Sequence, residues 1–225
     1  MQAYRLLIRP GFTVLDIGAN IGAHTLHFAR LVGMEGRVFA FEPTSFALTK
    51  LRLNLSLNPD LAGCVSAEQY FLVGDRLASP PPSIPSSWPV AERSRDPHEA
   101  LYGRGQASDG AAAITADDFC LNEGVTRVDF VKLDVDGYEY AVLRGLQQSL
   151  ERFRPLILIE FAPFNFEGPK AGDFDEMVRF LADLDYDFTD ISNGRSLARE
   201  PEALRRTINV GAGINTLLTP RRKVA

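Results

Sequence analysis

The tightest constraint on this chain is the stretch Val14-Leu15-Asp16-Ile17-Gly18-Ala19-Asn20-Ile21-Gly22, where an apolar run meets an acid, two spaced glycines and an asparagine just ahead of an apolar helical pattern. It reads as strand, tight turn, helix. Gly18 and Gly22 accept backbone angles and close approaches that a Cβ forbids, so a ligand can lie against the main chain between strand end and helix start. The spacing is D-x-G-x-N-x-G. The dinucleotide fingerprint instead needs G-x-G-x-x-G to lay a pyrophosphate on the helix N-terminus. With Asn20 in place of the middle glycine and Asp16 beside the turn, a diphosphate would meet a carboxylate. A cationic cofactor fits better.

S-adenosylmethionine carries a sulfonium and an ammonium and no phosphate, and its ribose needs an acceptor. Glu42 supplies one, because it follows the apolar run Arg37 to Phe41 and precedes Pro43. It lies about 20 residues beyond the glycine turn, where an acid reaches a ribose in a βαβ unit. The bland alternative is that Asp16 and Glu42 only cap helices at the carboxyl edge of a sheet.

A chain of 225 residues is long enough for one sizeable core, and a single domain spanning 1–225 is expected. The net charge of −5 argues against nucleic-acid binding, which wants a basic face. Cys64 and Cys120 have no disulfide-framework or metal spacing and read as small buried residues. With no membrane-length apolar run and no signal peptide, the expected compartment is the cytoplasm. Homo-oligomerisation is left open.

Along the chain, only Met1 to Gly11 precede the first strand, with no room for a separate N-terminal domain. Ile21, Leu26, Ala29 and Val32 predict a helix ended by Gly33 to Gly36. Pro43-Thr44-Ser45 starts a second helix, whose wide apolar set includes Phe46, Leu48, Leu51, Leu53, Leu55 and Leu57 and suits packing on several sides. Cys64 to Val73 reads as one strand, turning at Gly74-Asp75, where an adenine ring would find the strand-end crevice. From about 78 to 110 a Pro/Ser-rich insertion carrying Trp88 shows no period and reads as a loop. Thr115-Ala116-Asp117-Asp118 starts a short helix, and Val128 to Leu133 is the next strand. Val142, Leu143, Leu146 and Leu150 follow as one amphipathic helix, and Pro155 to Phe161 as a central strand. A helix over about Phe174 to Leu184 precedes strands at Tyr186–Ile191 and Ile214–Leu218, joined by a helix-free return that permits an antiparallel last strand. The alternation predicts a doubly wound, mostly parallel α/β sheet.

Asp16, Glu42, Asp134 and Glu160 each stand at an expected strand carboxyl end, the ligand-binding edge of open α/β sheets. Lys132 and Asp134 fall on the same side of their strand, which predicts an ion pair that orients Asp134. Asp136 and Glu139 read equally well as helix-start residues. For methyl transfer to a hydroxyl, the candidate bases are Asp134 and His24, with Lys132 beside them, while His27 and His98 are weaker. Asp134, Asp136 and Glu160 could in principle contribute oxygens to a hard divalent cation, but no compact ligand motif is present.

Taken in order, D-I-G-A-N-I-G at Asp16 to Gly22, F-E-P at Phe41 to Pro43, V-K-L-D-V-D-G-Y-E at Val131 to Glu139, V-L-R-G at Val142 to Gly145 and R-P-L-I-L-I-E at Arg154 to Glu160 resemble the FkbM-type methyltransferases. The resemblance implies a seven-stranded class I methyltransferase fold, Rossmann-like, with an antiparallel last strand. It implies S-adenosylmethionine-dependent O-methylation of a small hydroxylated acceptor such as a sugar or polyketide. It assigns Asp16, Gly18, Asn20 and Gly22 to the methionine-binding turn and Glu42 to the ribose, with Pro43, Asp75 and Asp134 on the cofactor side. The family usually reads D-V-E-G where this chain has Asp136, and an asparagine where it has Tyr70. The alternatives are a nicotinamide-dependent oxidoreductase, disfavoured by the missing fingerprint, and a non-catalytic cofactor-binding scaffold.

Overall fold

The computed structural model describes residues 2–81, 83–86 and 104–221. The first elements are helix α1 (Gln2–Leu7), strand β1 (Thr13–Ile17), helix α2 (Ala23–Val32), strand β2 (Arg37–Phe41), helix α3 (Ser45–Ser56), the short helix α4 (Pro59–Ala62) and strand β3 (Val65–Glu68). Strands β4 (Tyr70–Leu72), β5 (Ser83–Ser86), β6 (Arg104–Ala107) and β7 (Ala112–Ile114) lead into α5 (Ala116–Asn122) and β8 (Phe130–Leu133). The remainder is α6 (Glu139–Gly145), α7 (Gln147–Phe153), β9 (Leu156–Phe161), α8 (Asp173–Asp183), β10 (Tyr186–Asp190), α9 (Pro201–Thr207) and β11 (Ile214–Pro220).

Among the described residues, seven strands form one sheet in the order β10-β11-β9-β8-β1-β2-β3, and β11 alone runs antiparallel to its neighbours. Side-chain alternation splits β1 between the two faces. Val14 packs with Tyr4, Phe28, Val32 and Phe130 on one face, and Leu15 and Ile17 join the larger core with Phe119, Leu143 and Met177 on the other. Every β1 residue is buried, as a central parallel strand covered on both faces requires. The register sets Ile17 opposite both Phe41 and Leu133, and Leu133 opposite Ile159. The next residues along, Gly18, Glu42, Asp134 and Glu160, therefore form one row at the carboxyl edge.

Several sequence expectations are corrected. Asp16 is not on that rim: β1 continues to Ile17, and Asp16 sits inside the sheet opposite Lys132. The stretch from Cys64 to Val73 is two strands, because the chain leaves the main sheet at Gln69 and β4 pairs with β7 instead. Gln69 anchors the crossing by donating to Asp109 O at 3.0 Å and Ser45 Oγ at 3.1 Å. The helix around Val142 to Leu150 is two helices meeting at Leu146. Asp117 of α5 accepts the Gln148 and Ser149 N–H groups at 2.9 Å, capping α7 separately. The return from β10 to β11 contains α9, opened by Pro201 at its first position. On α3, Ala47, Leu48, Leu51 and Leu55 are buried whereas Phe46, Leu53 and Leu57 face solvent, so one face packs, not several. The insertion is not wholly a loop either, since β5 pairs antiparallel with β6 and Ile84 is buried. Trp88 and His98 lie outside the described residues.

Candidate active site

At the carboxyl edge of β1, β2 and β8 the sheet opens into a cleft of about 640 Å³, its mouth included. Ile17, Phe41, Phe71, Leu72, Ile84 and Val142 supply apolar walls, and Glu42, Asp134 and Asp136 supply carboxylates. A second, more polar cavity of about 450 Å³ lies behind the glycine turn between His24, Lys132, Asp134 and Asp136, sharing Gly18, Asn20 and both aspartates with the first.

The glycine turn is closed by its own main chain. Gly18 and Ala19 N–H both donate to Phe41 O, at 3.1 and 3.0 Å, and Gly22 N–H donates to Ala19 O at 2.9 Å. Gly18 stands at φ 79, and a Cβ there would come within 1.9 Å of the Asp134 carbonyl oxygen. Asn20 is left-handed at φ 50, a position asparagine tolerates, and its Oδ1 accepts the Ile21 N–H at 2.8 Å. Gly22 leaves the start of α2 without a side-chain cap.

Glu42 lines the cleft but is already heavily engaged. Its Oε1 accepts Thr44 N–H at 2.9 Å and the Thr44 hydroxyl at 2.5 Å, and its Oε2 accepts Asn20 N–H at 2.9 Å. Burial pushes its carboxyl above the ordinary value, against those three donors. A carboxylate has about four lone-pair sites, so the free acceptor capacity is on Oε2. Thr44 was not anticipated as a site residue.

Below the turn, Asp16 is fully buried and accepts the Thr25 hydroxyl at 2.6 Å through Oδ2. Its carboxyl is raised by burial, which outweighs the opposing pull of Lys132 and the Thr25 bond. Lys132 is buried too. Its Nζ lies 3.1 Å from Asp134 Oδ2 and donates to Gly18 O at 3.3 Å, so it ties the turn after β8 to the turn after β1. The ion pair expected from strand alternation is present, with Asp134 itself half-exposed.

Three further groups crowd this edge. Asp136, at φ 46, lines both cavities, and burial, with the charge of Asp134 added, pushes its carboxyl up to about 6. Glu139 begins α6 fully buried and accepts Val135 N–H at 3.1 Å and Gly137 N–H at 2.9 Å, and burial raises it to about 7. The helix-start reading therefore fits Glu139, whose carboxylate holds the preceding turn, and does not fit Asp136. Glu160, raised by burial, lines neither cavity.

His24 lies beside the polar cavity with its Nδ1 2.9 Å from the Tyr4 hydroxyl. Burial first, then the nearby carboxylates, push the Tyr4 phenol up to about 12, so it keeps its proton. The tautomer of the ring sets which of the two donates in this bond, and burial lowers the His24 pKa, which favours the neutral imidazole. Asp75 is exposed in the turn after β4, spends Oδ1 on the Leu77 N–H at 2.8 Å and lines neither cavity. Tyr70 and Pro43 line the cleft. Among the described residues no group of three or more His, Cys, Asp or Glu is placed to hold a metal ion, and no helix is long and apolar enough to cross a membrane.

Sequence reasoning missed Tyr4, Thr25 and Thr44. Tyr4 and Thr25 act on partners set by tertiary packing, His24 and Asp16, whereas Thr44 bonds Glu42 two residues back. The strand order, the antiparallel last strand and the cleft between a glycine turn and an acidic turn define the class I methyltransferase architecture. Residues 16–188 match the Methyltransferase FkbM domain, and the chain belongs to that family. It is 26% identical over 200 residues to Methyltransferase sdnD of Sordaria araneosa, covering 78% of this chain and 74% of that protein. To the 2-O-methyltransferase NoeI of Sinorhizobium fredii it is 26% identical over 166 residues, 68% of this chain and 65% of that one. The crystal structure of methyltransferase FkbM from Methylobacillus flagellatus superposes with a TM-score of 0.53 at 16% identity, over 96% of this chain and 49% of that chain. The match thus spans less than two thirds of the latter two proteins.

Proposed function

We propose that this protein, acting as a single catalytic domain, transfers a methyl group from S-adenosylmethionine to a hydroxyl of a small molecule or sugar. The observation that carries the reading is the pairing of an apolar slot that ends in Glu42 with a glycine turn that admits no Cβ and faces a carboxylate rim. The slot suits an adenine ring, Oε2 of Glu42 a ribose hydroxyl, and the Asp134 carboxylate a cationic ligand. When bound, S-adenosylmethionine supplies an electrophilic methyl on a sulfonium.

The residues divide the remaining work. Gly18, Asn20 and Gly22 let the ligand lie on the main chain. Asp16 ties β1 to α2 through the Thr25 hydroxyl and lies opposite Lys132 of β8 beneath it. Lys132 fixes Asp134, and His24 lines the same cavity. That NoeI is a 2-O-methyltransferase supports a hydroxyl acceptor. Calorimetric titration with S-adenosylmethionine, S-adenosylhomocysteine and NAD tests the reading: saturable binding of the first two without NAD is expected, and binding of NAD alone would overturn it.

A further inference from the structure

We propose that Asp136, and not Asp134, takes the proton from the acceptor hydroxyl. The assignment rests on the methyl-transfer reading above. Asp136 stands where the apolar cleft and the polar cavity meet and lines both. Among the described residues it makes no hydrogen bond and no ion pair. The other acids at this edge are spent or displaced. Protonating Asp134 would break its 3.1 Å pair with Lys132, a buried ammonium that would then face only the buried Asp16. Glu42 is held by Thr44 and Asn20, Glu139 by the Val135 and Gly137 amides, and Glu160 lines neither cavity.

Backbone geometry holds the carboxylate there. Asp136 and Gly137 are consecutive left-handed residues, at φ 46 and φ 91, and a Cβ on Gly137 would lie 2.4 Å from Asn165 O, so the turn is pressed against the segment after β9. The charges around Asp136 are Lys132 and Asp134 at the end of β8, Glu139 on α6 and Glu160 on β9, with His24 of α2 across the polar cavity. Burial and the Asp134 charge bring the group to about 6, close to the value that suits a general base at neutral pH. In the step, the acceptor O–H bond breaks and its proton goes to the Asp136 carboxylate. The oxygen pair forms the bond to the methyl carbon, the S–CH3 pair stays on sulfur as a neutral thioether, and Asp136 then returns its proton to water.

The first test needs no acceptor. Carboxyl-carbon NMR of the protein saturated with S-adenosylhomocysteine should show one signal, absent in Asp136→Asn, that titrates near 6. Titration of that signal in the ordinary aspartate range, about 4, would sink the proposal. Turnover is then followed against pH with S-adenosylmethionine and whichever of a panel of methyl glycosides accepts a methyl group. Asp136→Asn should bind S-adenosylhomocysteine within about threefold of wild type yet lose roughly a hundredfold or more in kcat and its acid limb. Asp136→Glu should restore part of both. Full turnover in Asp136→Asn, or an acid limb that persists, would also overturn the assignment. Failure of the unmodified protein to bind S-adenosylhomocysteine at all would instead strike the methyl-transfer reading beneath it.

Discussion

Two turns face each other across the cleft, and they are built on opposite principles. The one from Gly18 to Gly22 is shaped by contact: main-chain hydrogen bonds close it, and a backbone carbonyl occupies the space a side chain would need. The one from Asp134 to Glu139 is shaped by charge. Lys132 fixes its first carboxylate, and the buried Glu139 carboxylate gathers two of its amides. The first should respond chiefly to added volume, and the second to pH as well as to volume, since Gly137 is itself pressed against Asn165 O. A ligand held between them meets a rigid cradle on one side and a titratable surface on the other.

The largest effect is expected from Gly18→Ala. A methyl 1.9 Å from Asp134 O, at φ 79, must displace one turn or the other. Cofactor affinity should fall by more than about a hundredfold, roughly 3 kcal/mol. Calorimetry reads this directly, and binding within threefold of wild type would show that contact does not shape the cradle. Next comes Lys132→Met, which removes the cation between Asp16 and Asp134 and should cost about 3 kcal/mol in urea unfolding. A cost under about 1 kcal/mol would mean that the two turns are coupled by packing, not charge.

Glu139→Gln is the sharper probe of pH. Because burial holds Glu139 at about 7, above its ordinary 4.5, the neutral form is favoured on folding. The contribution is fully present below pH 4.5 and is lost as pH rises through 7. The destabilisation caused by Gln, about 1–2 kcal/mol at pH 5, should therefore shrink by pH 8. Urea curves at the two values check the sign, and a cost that grows with pH would contradict it. The smallest effect is expected from Tyr4→Phe, which deletes one hydrogen bond to His24 behind the glycine turn, worth about 1 kcal/mol in thermal unfolding. A tenfold loss of cofactor affinity in that variant would make α1 part of the site itself.

What could be read in the sequence tracks how local the cause is. The glycine turn, the acid after β2 and the alternation of Lys132 with Asp134 were legible because strand period and glycine geometry act over a few residues. The depth of Asp16 was not, since only the pairing of Ile17 with Phe41 and Leu133 shows that β1 runs one residue further. Nor was the break at Gln69: no glycine or proline marks it, and it arises because β7, forty residues on, offers β4 a different partner. The hydrogen bond between His24 and Tyr4 was not legible either, because Tyr4 comes from a helix with no periodic signal of its own. Asp136 and Glu139 read equally well as helix starts, and only the fold assigns that place to Glu139. The separate capping of α7 by Asp117 was hidden for the same reason, as a carboxylate from another helix supplies it.

The ladder of β5 and β6 has a consequence for how such a chain can diverge. Ser86 and Arg104 are paired, so these two points of the chain lie side by side. Lengthening a connection between such points costs only about 0.6 kcal/mol per doubling. The β4–β7 pair, which carries Tyr70, Phe71 and Leu72 to the cleft, lies outside that ladder. The ladder is thus a graft point with one condition: Ile84 of β5 is a wall of the slot, so β5 must be kept wherever sequence beyond the ladder is exchanged.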